Sequence, residues 1–527
     1  MAQAAWWQRG VVYQIYPRSF MDSNGDGLGD LRGIASKLDY LKWLGVDALW
    51  LSPIFPSPMA DFGYDVSNYV DIYPPFGNLD DFDHLLAAVH QRDLKLILDL
   101  VPNHTSNHHE WFIESRSSRD NPKRDWYIWR DAQPDGSPPN NWLSYFGGPS
   151  WTWDEPTGQY YLHSFLAEQP DLNYRNPEVK KAIADSIRFW LKRGVDGFRV
   201  DVIDRMIKDE QLRDNPLNPD WVEGSDNPTW KYLRVYSENQ PGVHDLIQEL
   251  RQVFDEFKDR VMIGEIAYST DPTLITGFYG TQSAPEIHLP FNFALLMLPW
   301  QADEVRSFVN LYEASLPADG WPNYELGNHD QMRIGTRIGL EQARVAAMLI
   351  LTLRGTPFIY YGEELGLRDV DIPPHLYQDP QGINLGISRD PQRTPMHWDN
   401  SPNAGFTTGE PWLPLSPDYP VLNVVSEQAD PTSMLMFYHT LLGLRRYTPA
   451  LHAGSYRSLE SPEGTFVYVR EHAGKQYLIA LNFWNVGRAL TLPGRGKVIL
   501  STHMDRGDAV EELHLRANEG VVVELIG

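Results

Sequence analysis

A closed (β/α)8 barrel, an α/β fold, with two additions is what this chain predicts. Three features predict it: short apolar strands alternating with amphipathic helices, polar residues gathered at the C-terminal ends of those strands, and two regions where the alternation stops. The 527 residues exceed two average domains, and a hydrophobic share of 42% supplies a large core.

The elements follow in order. VVYQIYPRSF (11–20) reads as a first strand and precedes the helical DLRGIASKLDYLKWLG, and DALWLSP (47–53) precedes LDDFDHLLAAVHQRD. LKLILDLVPNH (94–104) is the third strand, and the helix PEVKKAIADSIRFWLKRG leads into the fourth, DGFRVDV (196–202). VMIGEI (261–266), EIHLPFNF (286–293), NYELGNHD (323–330) and PFIYYGEE (357–364) complete eight. Repeated βα units imply a parallel sheet, and eight of them favour closure into a barrel. A doubly wound open sheet competes, but its Gly-rich dinucleotide turn has no counterpart here.

Residues 105–173 are rich in Trp, Tyr, Pro and Asn without a long helical period, too long for an ordinary loop, and predict an inserted domain. From 448 onward, TFVYVREHAGKQYLIALNFW and the closing VVVELIG have strand periodicity and predict a C-terminal antiparallel β-sandwich domain over 448–527. The barrel then comprises 1–104 and 174–447.

Composition narrows the function. A net charge of -25, from 70 acidic and 45 basic residues, repels phosphate backbones and anionic membrane surfaces, so neither nucleic acid nor membrane is an expected partner. With no cysteine, disulfides and thiolate chemistry are excluded. MAQAAWWQRG lacks a secretory h-region, and no stretch reaches the roughly 18 apolar residues of a membrane span, so the expected location is cytoplasmic.

Three segments carry the chemistry. GFRVDV (197–202), MIGEI (262–266) and GNHDQMR (327–333) deliver Asp201, Glu265 and Asp330 from apolar runs. Glycosidic bond cleavage needs such a set, because one carboxyl group protonates the leaving oxygen while another attacks the sugar carbon or activates water. Asp99, Asn103, His104, Arg199 and His329 join them at the strand ends, the face that carries active sites in barrels. Arg199 lies two positions before Asp201, on the same strand face, and would keep it ionised. Glu265 follows an apolar run with no cation adjacent in sequence, a setting that favours a protonated acid.

DLVPNHTS (99–106), GFRVDV, GEI and NHD, with QPDLNY (169–174), resemble the ordered motifs of glycoside hydrolase family 13, the α-amylase family. SNGDGLGDLRGI, FGYDVSNY, GISRDPQRTPMHW and AGFTTGEPW resemble its α-glucosidase and oligo-1,6-glucosidase branch. The resemblance spans essentially the whole chain. It implies Asp201 as nucleophile, Glu265 as general acid and then base, and Asp330 as stabiliser of the oxocarbenium-like transition state. It further implies that His104 and His329 donate hydrogen bonds to the innermost sugar and that Tyr64 stacks on it. Asp61 paired with Arg389 would close the far side, giving an exo-acting pocket for small α-glucosides.

DSNGDGLGD (22–30) places Asp22, Asn24, Asp26 and Asp30 at alternating positions, a spacing suited to hard cations. The resemblance implies structural Ca²⁺ or Mg²⁺ there, with the Leu28 carbonyl completing the set, and no organic cofactor. Gly33 stands where an EF-hand would have its bidentate Glu. Val202 after the nucleophile tends to accompany α-1,6 activity in this branch, yet such a difference is worth only about 1–3 kcal/mol, so α-1,4 and α-1,6 both stand. Transglucosidases and isomerases of the family share the three carboxylates. A scaffold subunit would typically carry a membrane helix and substituted acids. Monomer and homodimer are both compatible with the sequence.

Overall fold

The computed structural model describes residues 4–224, 227–266 and 268–526. Eight parallel strands form the barrel: Val12–Ile15, Ala48–Leu51, Lys95–Leu100, Gly197–Val200, Val261–Gly264, Leu289–Pro290, Asn323–Glu325 and Thr356–Tyr360. Seven lie within the predicted segments, and the eighth begins one residue before its predicted start at 357. Their neighbours follow chain order, and the eighth strand returns to pair with the first. These strands are buried on both faces, as parallel strands covered by helices must be, which is why they read as continuous apolar runs.

The ladder breaks between the sixth and seventh strands. Pro290 cannot donate to a neighbour, and side chains bridge the seam instead. Asn323 Nδ2 donates to the Pro290 carbonyl (2.6 Å), Asn292 N to Asn323 Oδ1 (3.1 Å) and Asn292 Nδ2 to the Asn323 carbonyl (3.2 Å). Both asparagines are fully buried.

Inside the barrel Val12, Ala48, Trp50, Ile97, Val261, Ile263, Leu289 and Phe358 pack as one cluster. Strand alternation then carries the inward face upward: Gln14 follows Val12, and Asp99 follows Ile97. Asp99 lies opposite Arg199 in the register of the third and fourth strands. The top of the barrel interior is therefore polar because the pleat repeats every two residues.

The outer helices bury one stripe each. In Pro177–Arg193, Val179, Ile183, Ile187, Trp190 and Leu191 face inward; Asn176 caps the start through the Glu178 amide, and Gly194, with a φ of 115°, ends it.

The 105–173 segment folds around a three-stranded antiparallel sheet, Trp129–Arg130, Trp151–Asp154 and Gln159–Leu162. Lys208 anchors its end to the barrel, binding Asp171 at 3.0 Å and Asn103 at 2.9 Å. A second excursion, 203–242, follows the fourth strand and contains the 3-10 turns Ile203–Arg205 and Pro228–Trp230.

At the C-terminal end the helix Pro449–Ala453 precedes six antiparallel strands, which begin at Ser455–Leu459 and end at Gly520–Ile526. One apolar face, including Phe466, Tyr468, Ile479 and Leu481, joins the barrel core, and Tyr468 bonds Thr352 of the buried helix Leu340–Thr352 at 2.6 Å. The other face encloses its own core of Val467, Val469, Leu478, Leu490, Leu513 and Val523. Register shifts in the long strand Arg488–Ser501 let the sheet bend around that second core, the layered packing of a sandwich.

Candidate active site

Strand pairing delivers the acids to one point. The Asp201 amide donates to the Leu100 carbonyl and the Glu265 amide to the Val200 carbonyl, both at 2.8 Å, so each residue extends its ladder by one step past the strand. Arg199, from the fourth strand, then gathers three carboxylates. Nη1 binds Asp99 Oδ1 at 2.9 Å and Asp201 Oδ1 at 2.7 Å, and Nη2 binds Glu265 Oε2. Here the structure corrects the sequence reading: Glu265, which has no cation beside it in sequence, is held by the same guanidinium as the nucleophile.

Burial nevertheless dominates the protonation of the acids. Desolvation lifts the Glu265 carboxyl to about 8, against Arg199 and helped by the neighbouring Asp201 charge. Asp201 rises to about 6, again through desolvation, with Arg199 and a hydrogen bond from Glu265 opposing. At neutral pH the two groups thus sit on opposite sides of their titrations. Asp99 rises to about 7 on burial, and its second oxygen accepts from Trp50 Nε1 and Tyr64 Oη at 3.2 Å each.

Asp330 is the contrasting acid. Burial pushes its carboxyl up, but His329, Arg389, Arg393 and Arg199 outweigh that and hold it well below the usual range. Desolvation pushes His329 down to about 3, so this imidazole is neutral at working pH and the arginines hold Asp330 ionised. Arg389 Nη1 and Arg393 Nη2 meet Asp330 Oδ1 at 3.1 and 2.9 Å.

Asp61, Tyr64, His104 and Arg389 line a cavity of about 210 Å³ together with Asp201, Glu265 and Asp330, and His329 lies behind Tyr64. Arg389 pairs with Asp61 at 2.8 Å and with Asp379 at 2.6 Å, which walls off one side. Tyr64 lies parallel to the His329 ring, 5.4 Å between centroids, with its hydroxyl 2.6 Å from Nε2. His329 Nδ1 sits 2.8 Å from the Gln14 amide. His104 Nε2 lies 2.9 Å from the Tyr64 carbonyl, and Nδ1 3.2 Å from Asn103 Nδ2. Both nitrogens of each histidine are therefore engaged within the protein. These contacts fix the orientation of both rings beside the cavity.

Sequence reasoning missed several participants. Asp99, a lone acid in the apolar run LKLILDL, stands among the strand-end residues expected from sequence, but without its role on Arg199. Gln169, which bonds Asp61 at 3.1 Å, lay in a quoted motif without a role. Asp379 and Arg393 come from an irregular stretch with no period to expose them. Val202 was noted for its identity only; it has a φ of 36°, a strained backbone for a β-branched residue, at the step from the nucleophile into the excursion.

The 22–30 loop is ordered by hydrogen bonds among the residues expected to hold the cation. Asp22 accepts from the amides of Asn24, Gly25 and Gly27 and from the Thr407 hydroxyl. Asp30 accepts from Ser23 and caps the helix Leu31–Ser36 through the Gly33 amide, while Asp26 accepts from the Leu28 amide and Asn24. Asp22, Asn24, Asp26 and Asp30 each accept at least one hydrogen bond from the loop and its neighbours, which fixes their carboxylate and amide oxygens in place; Asp22, Asn24, Asp26, Leu28 and Asp30 remain the residues that would hold Ca²⁺ or Mg²⁺. Among the described residues only His503, Asp505 and Glu519 bring three ligand atoms within 4.8 Å of one another. Arg516 already fills that position, at 2.6 Å from Asp505 and 2.7 Å from Glu519.

No helix among the described residues is long and apolar enough to cross a membrane. The family model for the alpha amylase catalytic domain matches residues 14–454. A probable alpha-glucosidase of Rhizobium meliloti (strain 1021) is 42% identical over 93% of this chain and 91% of its own. An oligo-1,6-glucosidase of Parageobacillus thermoglucosidasius is 39% identical over 99% of both. The solved structure of an alpha-glucosyl transfer enzyme, XgtA, superposes with a TM-score of 0.93 at 43% identity, covering 99% of this chain and 100% of that one. With its barrel, its three convergent acids and these relatives, the chain belongs to the α-amylase family of glycoside hydrolases, in the α-glucosidase and oligo-1,6-glucosidase branch.

Proposed function

We propose that this glycoside hydrolase is a retaining, exo-acting α-glucosidase that removes terminal non-reducing glucose from short α-glucosides. The observation that carries this reading is the shared guanidinium: Asp201 binds Arg199 Nη1 and Glu265 binds Nη2, which holds the two carboxyl groups side by side. Such proximity belongs with carboxyl separations of about 5–5.5 Å, used for double displacement, rather than with the roughly 6.5–9.5 Å that leaves room for water in inverting enzymes.

In the first step Asp201 attacks C1 and Glu265 gives its proton to the glycosidic oxygen, so the C1–O bond breaks and a β-glucosyl ester forms. In the second, Glu265, now a carboxylate, takes a proton from water. The water oxygen attacks C1, and Asp201 leaves as carboxylate. Asp330 opposes the positive charge that develops on the ring in both steps. The Asp61–Arg389–Asp379 wall supports the exo mode by leaving no path for a longer glycone.

Transfer to a sugar in place of water is the second reading, favoured by the 43% identity to an enzyme titled for alpha-glucosyl transfer. The test is incubation with maltose and with isomaltose, followed by anomer-resolved NMR, alongside Asp201→Asn. Early α-glucose, absent in the variant, supports a retaining hydrolase, and the faster disaccharide identifies the linkage. Early β-glucose refutes retention, and transfer products or rearranged disaccharides in excess over glucose replace hydrolysis with the second reading.

A further inference from the structure

The cavity has a donor that neither the acids nor the Asp61–Arg389 wall uses. Arg205 ends the turn Ile203–Arg205, four residues after the nucleophile, is 7% exposed and lines the cavity. Its guanidinium donates no hydrogen bond to any of the described residues, and its Nε is wholly enclosed. Buried donors are matched in nearly all folded proteins, so an unmatched fork facing a cavity marks a place where a ligand supplies the acceptor.

The fork is nonetheless held in place. It lies over the Tyr145 ring at 4.2 Å, and Arg234 stacks on the same ring at 3.6 Å. Arg234 is fixed by the Leu143 carbonyl at 2.9 Å. Glu238 Oε1 stands between the two cations, 3.8 Å from Arg205 and 3.6 Å from Arg234, and Asp204 lies 4.0 Å from Arg205. Stacking fixes the plane of the guanidinium while leaving its edge free. Gln381, from the helix Pro380–Leu385, lines the same cavity with a side-chain amide that bonds none of the described residues.

The geometry points to Arg205 as the donor that binds the leaving group, and to a neutral polyhydroxylated leaving group, a sugar or polyol, whose adjacent hydroxyl oxygens accept from the guanidinium edge. This rests on the α-glucosidase reading, in which the glucose lies toward Asp330 and Arg389 and the aglycone lies beyond Glu265. Neighbouring hydroxyls of such a leaving group match a planar fork whose donors lie side by side.

The experiment compares kcat/KM for maltose, isomaltose and α-glucosyl fluoride in the wild type, Arg205→Leu and Arg205→Lys. Fluoride carries no hydroxyl, so the ratio of the better disaccharide to the fluoride should fall about tenfold or more in Arg205→Leu. In Arg205→Lys, which keeps the charge but not the fork, the ratio should fall less. An unchanged ratio in both variants overturns the assignment, including the case where all substrates fall together because the fold is damaged. A ratio that falls in Arg205→Leu and is fully restored in Arg205→Lys also overturns it, because charge alone then suffices. A wild type inert toward all three substrates overturns the glucosidase reading and this one with it, so the two failures are distinct.

Discussion

Replacing Glu265 with Gln tests the division of labour between the two acids, because amide and carboxyl have the same shape. Arg199 Nη2 can still donate to the amide oxygen, so the site's geometry should survive while its acid disappears. In the wild type the working form needs Asp201 ionised and Glu265 protonated, and these groups titrate at about 6 and about 8. kcat/KM should therefore fall tenfold per pH unit below about 6, where Asp201 takes up a proton, and above about 8, where Glu265 loses one. At pH 7 about four fifths of the molecules carry the productive pair. For maltose or isomaltose, the loss of the acid should lower kcat/KM by about 10²–10⁴, or roughly 3–5 kcal/mol of transition-state stabilisation. α-Glucosyl fluoride expels a leaving group that needs no proton, so its kcat/KM should fall by less than about tenfold and lose the alkaline limb. The assay is a pH series of kcat/KM for both substrates in wild type and variant. An alkaline limb that survives in the variant, or equal losses on both substrates, would refute the assignment of Glu265 as the acid.

Three further outcomes follow from particular contacts. Arg389→Lys should raise KM for disaccharides about tenfold or more, since an ammonium cannot hold Asp61, Asp379 and Asp330 together; steady-state kinetics with an unchanged KM would show that the wall is not needed. Asn323→Ala should cost about 2–4 kcal/mol in denaturant unfolding, because it leaves the buried Pro290 carbonyl and the Asn292 amide unpaired at the barrel seam. Adding EDTA should lower Tm, since removing a structural cation held at 100 times its Kd from the 22–30 loop forfeits about 2.7 kcal/mol; an unchanged Tm in differential scanning fluorimetry would show that the loop holds no metal.

The barrel was legible because its strands are buried on both sides and so are written as apolar runs, and the acids were legible because they interrupt those runs at their ends. The sixth strand shows where that reading stops. EIHLPFNF marks its place, but only Leu289–Pro290 pairs, and the asparagines that bridge the seam look like ordinary polar residues in sequence. The 203–242 excursion has no helical or strand period, so Arg205 and Arg234 could not be placed beside the cavity by pattern alone. In the 22–30 loop the same spacing of Asp and Asn serves a cation cage and a set of self-capped turns. Only the direction of each carboxylate separates the two, and sequence does not encode that direction locally.

The electrostatics of the site explain why one guanidinium serves two acids with opposite tasks. A cation beside a buried carboxylate lowers its pKa, so Arg199 alone would leave both Asp201 and Glu265 ionised and no proton for the leaving oxygen. Packing three carboxylates around it reverses this, because the second and third charges are each resisted by the others and by the loss of water. One proton is retained, and it rests on Glu265, the residue whose carboxyl is lifted to about 8. Asp330 lies outside that competition. Arg389 and Arg393 hold it ionised, so a fixed negative charge faces the sugar whatever the protonation of the other two. In the proposed mechanism, positive charge developing on the ring would meet Asp201 and Asp330 without reorganisation of the protein, the condition under which such stabilisation is largest. Asp99 belongs to the same network, since it shares Arg199 Nη1 with Asp201 and its charge raises the Asp201 carboxyl.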